Sequence, residues 1–250
     1  MSVQNLSGTT AVVTGASRGF GRAIAVALAA RGAHVVGVAR DEVLLKEVSN
    51  DLGARFTPEV ADITEPSIAT RLLSRYRPRT VVLNAGATPE PAALREQTWE
   101  NFSTNWETDV QHVFNFTREA LTLPLDPGSV VVSFSSGAAL RGSPLSGGYA
   151  GAKATIRFIS SYAAWDGART GAGIRFLAVL PQLTPATELG RKYTETYASA
   201  EGLSVAQYLE RAGGSLGADE VSRAVADLVT DDDYDAPAYL ITLGGIAPVG

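Results

Sequence analysis

The sequence predicts an α/β protein, a three-layer, doubly wound parallel sheet of about seven strands. Three observations predict it. Short apolar runs alternate with runs of helical period along the whole chain. Several apolar runs, 33–39 and 129–134 among them, are nearly continuous, the pattern of parallel strands covered on both faces. A glycine-rich turn, Thr14-Gly15-Ala16-Ser17-Arg18-Gly19-Phe20-Gly21, stands between the first such run and the first helix.

Composition narrows the class. The chain has 250 residues, is 45% hydrophobic and carries a formal charge of −5, which suits one domain, 1–250, with a large core. It has no basic run, so nucleic acid is not an expected partner. Cysteine is absent and the two histidines, His34 and His112, lie far apart, so no metal site is expected. The first eight residues do not read as a secretion signal, and no apolar run reaches membrane-spanning length. A cytoplasmic location is the expectation.

The elements follow in order. Residues 9–14 read as the first strand and 22–31 as the first helix, stopped by Gly32. Strand 33–39 ends at Arg40, and Asp41 is placed to cap a helix over 42–50. Strand 55–60 leads to Asp62-Ile63. A helix is expected over 66–75, with Asp62 or Thr64 as alternative caps. Strand 80–83 runs into Asn84-Ala85-Gly86. Residues 98–123 form a long helical stretch with Trp99, Phe102, Trp106, Phe114 and Phe116. Strand 129–134 precedes Ser135-Ser136-Gly137, and a helix starting near Gly148 carries Tyr149 and Lys153. Strand 174–180 ends at Pro181, residues 183–215 are mixed helix and loop, and a helix over 216–230 precedes a last strand at 238–243.

The glycine turn fits an anion. Gly15 suits a positive φ, Gly19 and Gly21 let a pyrophosphate and the strand approach, and the first helical N–H groups have no internal partner. In a dinucleotide fold, Arg40 faces the adenosine ribose. Its guanidinium, with Arg18 as a second cation, suits a 2′-phosphate, so NADP(H) is the expected cofactor. Tyr149 and Lys153, four apart, share one helix face. A nearby ammonium favours the phenolate, which makes the pair suited to proton transfer.

The spacing Thr14-Gly15-x-x-x-Gly19-x-Gly21, with Asn84-Ala85-Gly86, Ser136 and Tyr149-x-x-x-Lys153 in that order, resembles the short branch of the short-chain dehydrogenase/reductase family. The resemblance implies a Rossmann fold and an oxidoreductase acting on a small carbonyl or alcohol substrate. Tyr149 would exchange the proton, Lys153 would tune it and hold the nicotinamide ribose, and Ser136 would steady the substrate oxygen. Asp62 and Ile63 would meet the adenine, and Asn84, Ala85 and Gly86 would border the cofactor. Pro181 and either Thr184 or Thr187 would flank the nicotinamide. A homodimer or homotetramer through the aromatic 98–123 segment is also implied.

Three departures from the family stand out. Aligning 114–118 with the family helix places Asp109, with Asn105 as the alternative, where the family carries an asparagine. Gln182 follows Pro181 in place of glycine. The approach to Tyr149, residues 142–148, is rich in serine and glycine and is expected to line the substrate mouth. Tyr193, Tyr197, Leu203 and Tyr208 read equally as substrate lining or as helix packing. Asp109 and Gln182 keep open a non-catalytic NADP(H)-binding protein of the same fold, and a dehydratase or isomerase is a third reading.

Overall fold

The computed structural model describes residues 5–123 and 125–249. Eight strands form one sheet in the order β3-β2-β1-β4-β5-β6-β7-β8. These are β1 (Thr10–Thr14), β2 (His34–Ala39), β3 (Phe56–Val60), β4 (Thr80–Leu83), β5 (Val130–Phe134), β6 (Arg175–Pro181), β7 (Ala238–Thr242) and β8 (Gly245–Pro248). All neighbours run parallel except β7 and β8, which pair antiparallel. The eighth strand is an addition to the seven expected. Residues 242–245 reverse the chain tightly, and the short strand that follows closes the edge beside β7.

Helices cover both faces. On one side α1 (Gly19–Ala30), α2 (Glu42–Leu52) and α10 (Ala218–Thr230) bury Ile24, Leu28, Leu45, Val225 and Leu228 against β1, β2 and β5. On the other, α3 (Ile68–Tyr76), α5 (Gln111–Thr122) and α7 (Tyr149–Thr170) bury Leu72, Val113, Phe116 and Ile156. Both apolar layers are continuous, which is why the central strands could be apolar on both faces.

Several boundaries differ from expectation for identifiable reasons. α1 begins at Gly19, inside the glycine turn and ahead of the apolar period, with Gly19 itself at a positive φ of 54°. Neither Asp62 nor Thr64 caps α3. Asp62 instead accepts from Thr64 N–H at 2.9 Å and Thr64 Oγ1 at 2.7 Å, a local turn. Asp41 accepts from Leu44 N–H at 3.0 Å and caps α2. The long stretch 98–123 is broken into α4 (Trp99–Asn105), a π-helical turn (Trp106–Val110) and α5. Of its aromatics only Phe116 is fully buried, whereas Trp99, Trp106 and Phe114 are exposed. The segment 183–215 contains α8 (Glu188–Ala200) and α9 (Val205–Arg211), and a short α6 (Ala138–Arg141) follows β5.

The strand order reverses between β1 and β4, and at such a switch point the crevice opens beyond the carboxyl ends of the strands. Thr14, fully buried, ties that point together. Its hydroxyl donates to Val82 O at 3.2 Å and accepts from Asn84 N–H at 3.0 Å and Ala85 N–H at 3.1 Å. Asn84 Nδ2 returns a bond to Thr14 O at 3.1 Å. Gly21 packs beneath the turn, where a Cβ would stand 2.0 Å from Gly15 O. Because that neighbour is backbone, Gly21→Ala is expected to lower stability by about 3 kcal/mol, the upper part of the range for overpacking. Urea unfolding checks this, and a variant as stable as the parent would contradict the close approach.

Candidate active site

A single cleft of about 1150 Å³ lies at the switch point. At one end it is lined by the glycine turn, from Gly15 through Ser17, Arg18, Gly19 and Phe20, and by Arg40, Asp62 and Ile63. Its centre is lined by Asn84, Ala85, Gly86, Asp109, Ser136, Tyr149 and Lys153, and its far wall by Pro181 and Thr184. Of the residues the sequence singled out for cofactor or chemistry, Asn105 lies off the cleft surface, and so does Gly21. Its place is under the turn, so it shapes the cradle without facing it.

The cradle suits an elongated anion. Gly15 has φ 68° and Gly19 φ 54°, both left-handed and both costly for a side chain. No side chain caps α1, so its first N–H groups remain available at the cleft. Arg18 pairs with Glu188 at 2.9 Å and Arg40 stands 3.8 Å from Asp62. The Thr64 bonds first, and Arg40 after them, hold the Asp62 carboxyl below the usual range, so it is an anion at neutral pH.

The centre is built on a buried ion pair. Lys153 Nζ lies 3.0 Å from Asp109 Oδ2 and donates to Phe134 O at 3.0 Å. Both side chains are nearly sealed from solvent, 7% and 2% exposed. Asp109 is held in turn: Oδ1 accepts from Ala87 N–H at 2.8 Å, and Oδ2 accepts from Asn105 Nδ2 at 3.2 Å. The π-helical turn supplies this geometry by placing Asn105 and Asp109 on one side, toward Lys153. Asp109, not Asn105, is the residue that meets the lysine. Gly86 makes room, since a Cβ there would stand 2.7 Å from Asp109 Oδ2. Burial pulls the Lys153 pKa down, but Asp109 and Tyr149 outweigh it and the net direction is up. His112, one turn beyond Asp109, is fully buried, and burial takes its pKa to about 3, so it is uncharged at neutral pH.

Tyr149 opens α7 and Lys153 follows one turn later, with its ammonium 5.5 Å from the phenol ring centroid. The two serines differ. Ser135 Oγ is buried and donates to Lys153 O at 2.7 Å. Ser136 Oγ accepts from Ala138 N–H at 3.2 Å, which leaves its proton free to donate into the cleft. Thr184 has no such freedom: its hydroxyl donates to Leu216 O at 2.5 Å and accepts from Ala186 N–H at 3.1 Å. Thr187 Oγ1 accepts from Gly190 N–H at 3.0 Å and keeps its proton. Tyr193 and Tyr197 line the cleft, whereas Tyr208 and Leu203 do not; Tyr208 stacks on Tyr197 with ring centroids 6.4 Å apart. Among the described residues no cluster of His, Cys, Asp or Glu could hold a metal, and no helix is long and apolar enough to cross a membrane.

Sequence reasoning missed two features. The Arg18–Glu188 contact joins distant segments and leaves no local signal. The π-helical turn has no residue signature either.

Comparison with known proteins places this arrangement. The profile of a family described as short chain dehydrogenase matches residues 9–198. A 3-oxoacyl-[acyl-carrier-protein] reductase of Escherichia coli is 30% identical over 236 residues, covering 91% of this chain and 92% of its own. An uncharacterized short-chain type dehydrogenase/reductase of Sinorhizobium fredii is 30% identical over 194 residues, covering 77% and 73%. The crystal structure of a Brucella melitensis 3-ketoacyl-(acyl-carrier-protein) reductase, complexed with NADH, superposes with a TM-score of 0.73 at 24% identity, covering 92% of this chain and 93% of that one.

Removing one partner of a buried pair strands the other charge. Asp109→Ala is therefore expected to cost about 3–5 kcal/mol, while Asp109→Asn, which retains a hydrogen-bonding side chain, costs less. Chemical denaturation of both variants checks this, and an Asp109→Asn variant as stable as the parent would contradict an ionic contact.

Proposed function

The chain belongs to the short-chain dehydrogenase/reductase family, and from that premise we propose that it is an NADP(H)-dependent oxidoreductase. Its substrate is a small carbonyl compound or the corresponding secondary alcohol. The observation that carries the reading is the convergence of Ser136, Tyr149 and the Asp109-held Lys153 on one cleft whose other end is a glycine cradle. The nicotinamide, when bound, supplies or accepts the hydride at the substrate carbon.

The chain's own residues do the rest. In reduction, Tyr149 gives its phenolic proton to the carbonyl oxygen as negative charge builds there. The Ser136 hydroxyl donates to the same oxygen and steadies that charge. Lys153 stays cationic beside the ring and offsets the charge left on the phenolate. In oxidation the same phenolate takes the hydroxyl proton. Asp109 fixes the ammonium and also offsets part of its field at Tyr149, so this relay is weaker than one built on a neutral amide. Thr187, with a free hydroxyl proton, is the better-placed threonine for the nicotinamide amide.

Arg18 and Arg40 support NADP(H) over NAD(H). Their acidic partners are exposed, and exposed pairs are worth about 0–1 kcal/mol, so a 2′-phosphate can recruit both guanidinium groups. The exposed Phe114 on α5 and Phe158, Tyr162 and Trp165 on α7 support a homodimer or homotetramer through those helices. A cytoplasmic location fits the same reading.

Three measurements test it. Tyr149→Phe is expected to lower kcat for carbonyl reduction by about 10²–10⁴, the usual worth of a general acid, while NADPH still binds. Unchanged turnover would contradict the assignment, and tight NADPH binding by the parent without turnover of any aldehyde or ketone would favour a non-catalytic binder. Arg40→Gln is expected to reduce kcat/KM for NADPH about tenfold, in keeping with the loss of a charge-assisted bond, and to leave NADH nearly unaffected. Equal effects on both cofactors would contradict the phosphate role. In Asp109→Asn the lysine field at Tyr149 is less opposed, so alcohol oxidation is expected to reach half its plateau at lower pH. A profile identical to the parent's would count against Asp109 acting on the relay.

A further inference from the structure

Charge along the cleft is matched almost throughout. Arg18 meets Glu188, Arg40 meets Asp62, Lys153 meets Asp109, and the Asp41 carboxylate caps α2. Arg141 is the exception. It lines the same cleft, yet among the described residues its guanidinium has neither a hydrogen bond nor an ion pair.

Its position is set by the catalytic centre. α6 follows directly on Ser136, whose hydroxyl accepts from Ala138 N–H at the start of that helix. Arg141 is the last residue of α6, and Gly142, at φ 79°, turns the chain away. Arg141 follows Ser136 by five residues, the last four of them forming α6. Arg141 thus closes the short segment that carries Ser136, and it lines the same cleft as Ser136 and Tyr149.

The neighbouring hydroxyls are already committed. Tyr193 donates to Pro89 O at 2.8 Å, and Tyr197 bonds Ser143 Oγ at 2.7 Å and accepts from Leu145 N–H at 3.0 Å. These bonds hold the mouth in shape and leave the tyrosines little to offer a polar ligand. Leu140 and Leu183 add apolar wall. Charged recognition at the mouth therefore falls to Arg141, whose planar fork matches a two-oxygen anion.

Resting on the oxidoreductase reading, we infer that Arg141 anchors an oxoanion at the remote end of the substrate. The substrate class is an oxo compound that also carries a carboxylate or a phosphate, rather than a neutral ketone. An apolar linker of a few carbons between the two groups suits the leucine-lined wall.

The test uses straight-chain methyl ketones ending in a carboxylate, over a range of chain lengths, each beside its methyl ester and its phosphate-monoester counterpart. With NADPH and the parent protein, an anionic ketone of one length is expected to exceed its ester about tenfold in kcat/KM. Arg141→Gln should remove that preference by raising KM for the anion while leaving the ester unchanged, and Arg141→Lys should restore part of it. Preference for the carboxylate or for the phosphate identifies the source of the anion. Equal turnover of anion and ester, or a preference that survives Arg141→Gln, overturns the inference and leaves the oxidoreductase reading standing. Should no ketone turn over, that reading fails instead. Calorimetry of the same compounds on the NADPH-loaded protein then decides: binding that Arg141→Gln removes upholds the anion site, and no such binding overturns it.

Discussion

The site depends on one contact, the buried pair of Lys153 and Asp109. An ammonium with this little access to water would be driven toward its neutral form by burial alone. The carboxylate at 3.0 Å reverses that direction. Asp109 is itself secured by Ala87 N–H and Asn105, so neither charge is left to wander. Gly86 and the π-helical turn exist, in physical terms, to let the carboxylate reach the lysine. Fixed in this way, the cation can act on Tyr149, the phenol that shares its helix face.

A second constraint places this centre in the right crevice. The sheet reverses order between β1 and β4, and Thr14 binds the two strand ends through its hydroxyl and carbonyl. The glycine turn follows β1, the Asn84 segment follows β4, and Ser136 follows β5, so all three arrive at one edge. α7 then brings Tyr149 and Lys153 across from the opposite layer, with Ser135 pinning the helix backbone at Lys153 O. The chemistry needs no unusual residue; it needs these strand ends in register.

Much of this was legible in the sequence. The strand runs were apolar on both faces because helices cover both sides, and the glycine turn was readable because Gly15 and Gly19 take positive φ. Asp41 was readable as a cap because its contact is local. What failed was non-local or lacked a side-chain signal. The start of α1 was hidden because Gly19 gives no helical period. Asp62 or Thr64 as a helix cap was the alternative to an adenine contact for Asp62, and that alternative fails because Asp62 closes a turn with Thr64. β8 escaped notice because a four-residue strand with Gly245 and Pro248 carries little strand signal, and edge pairing alone defines it. Alignment placed Asp109 ahead of Asn105 as the lysine's neighbour but left Asn105 as an alternative, and it is Asp109 that meets Lys153, at 3.0 Å.

The most direct measurement is the titration of Lys153 itself. The protein has three lysines, Lys46, Lys153 and Lys192, so nitrogen NMR of lysine-labelled protein, assigned with Lys46→Arg and Lys192→Arg, isolates its signal. The account predicts that the Lys153 ammonium stays protonated above the ordinary lysine value of 10.5 in the folded protein. The stability it contributes would then be complete below that pH and lost only as pH rises through the elevated value. A Lys153 signal that titrates below the ordinary value would show that burial outweighs the carboxylate, and it would contradict the account.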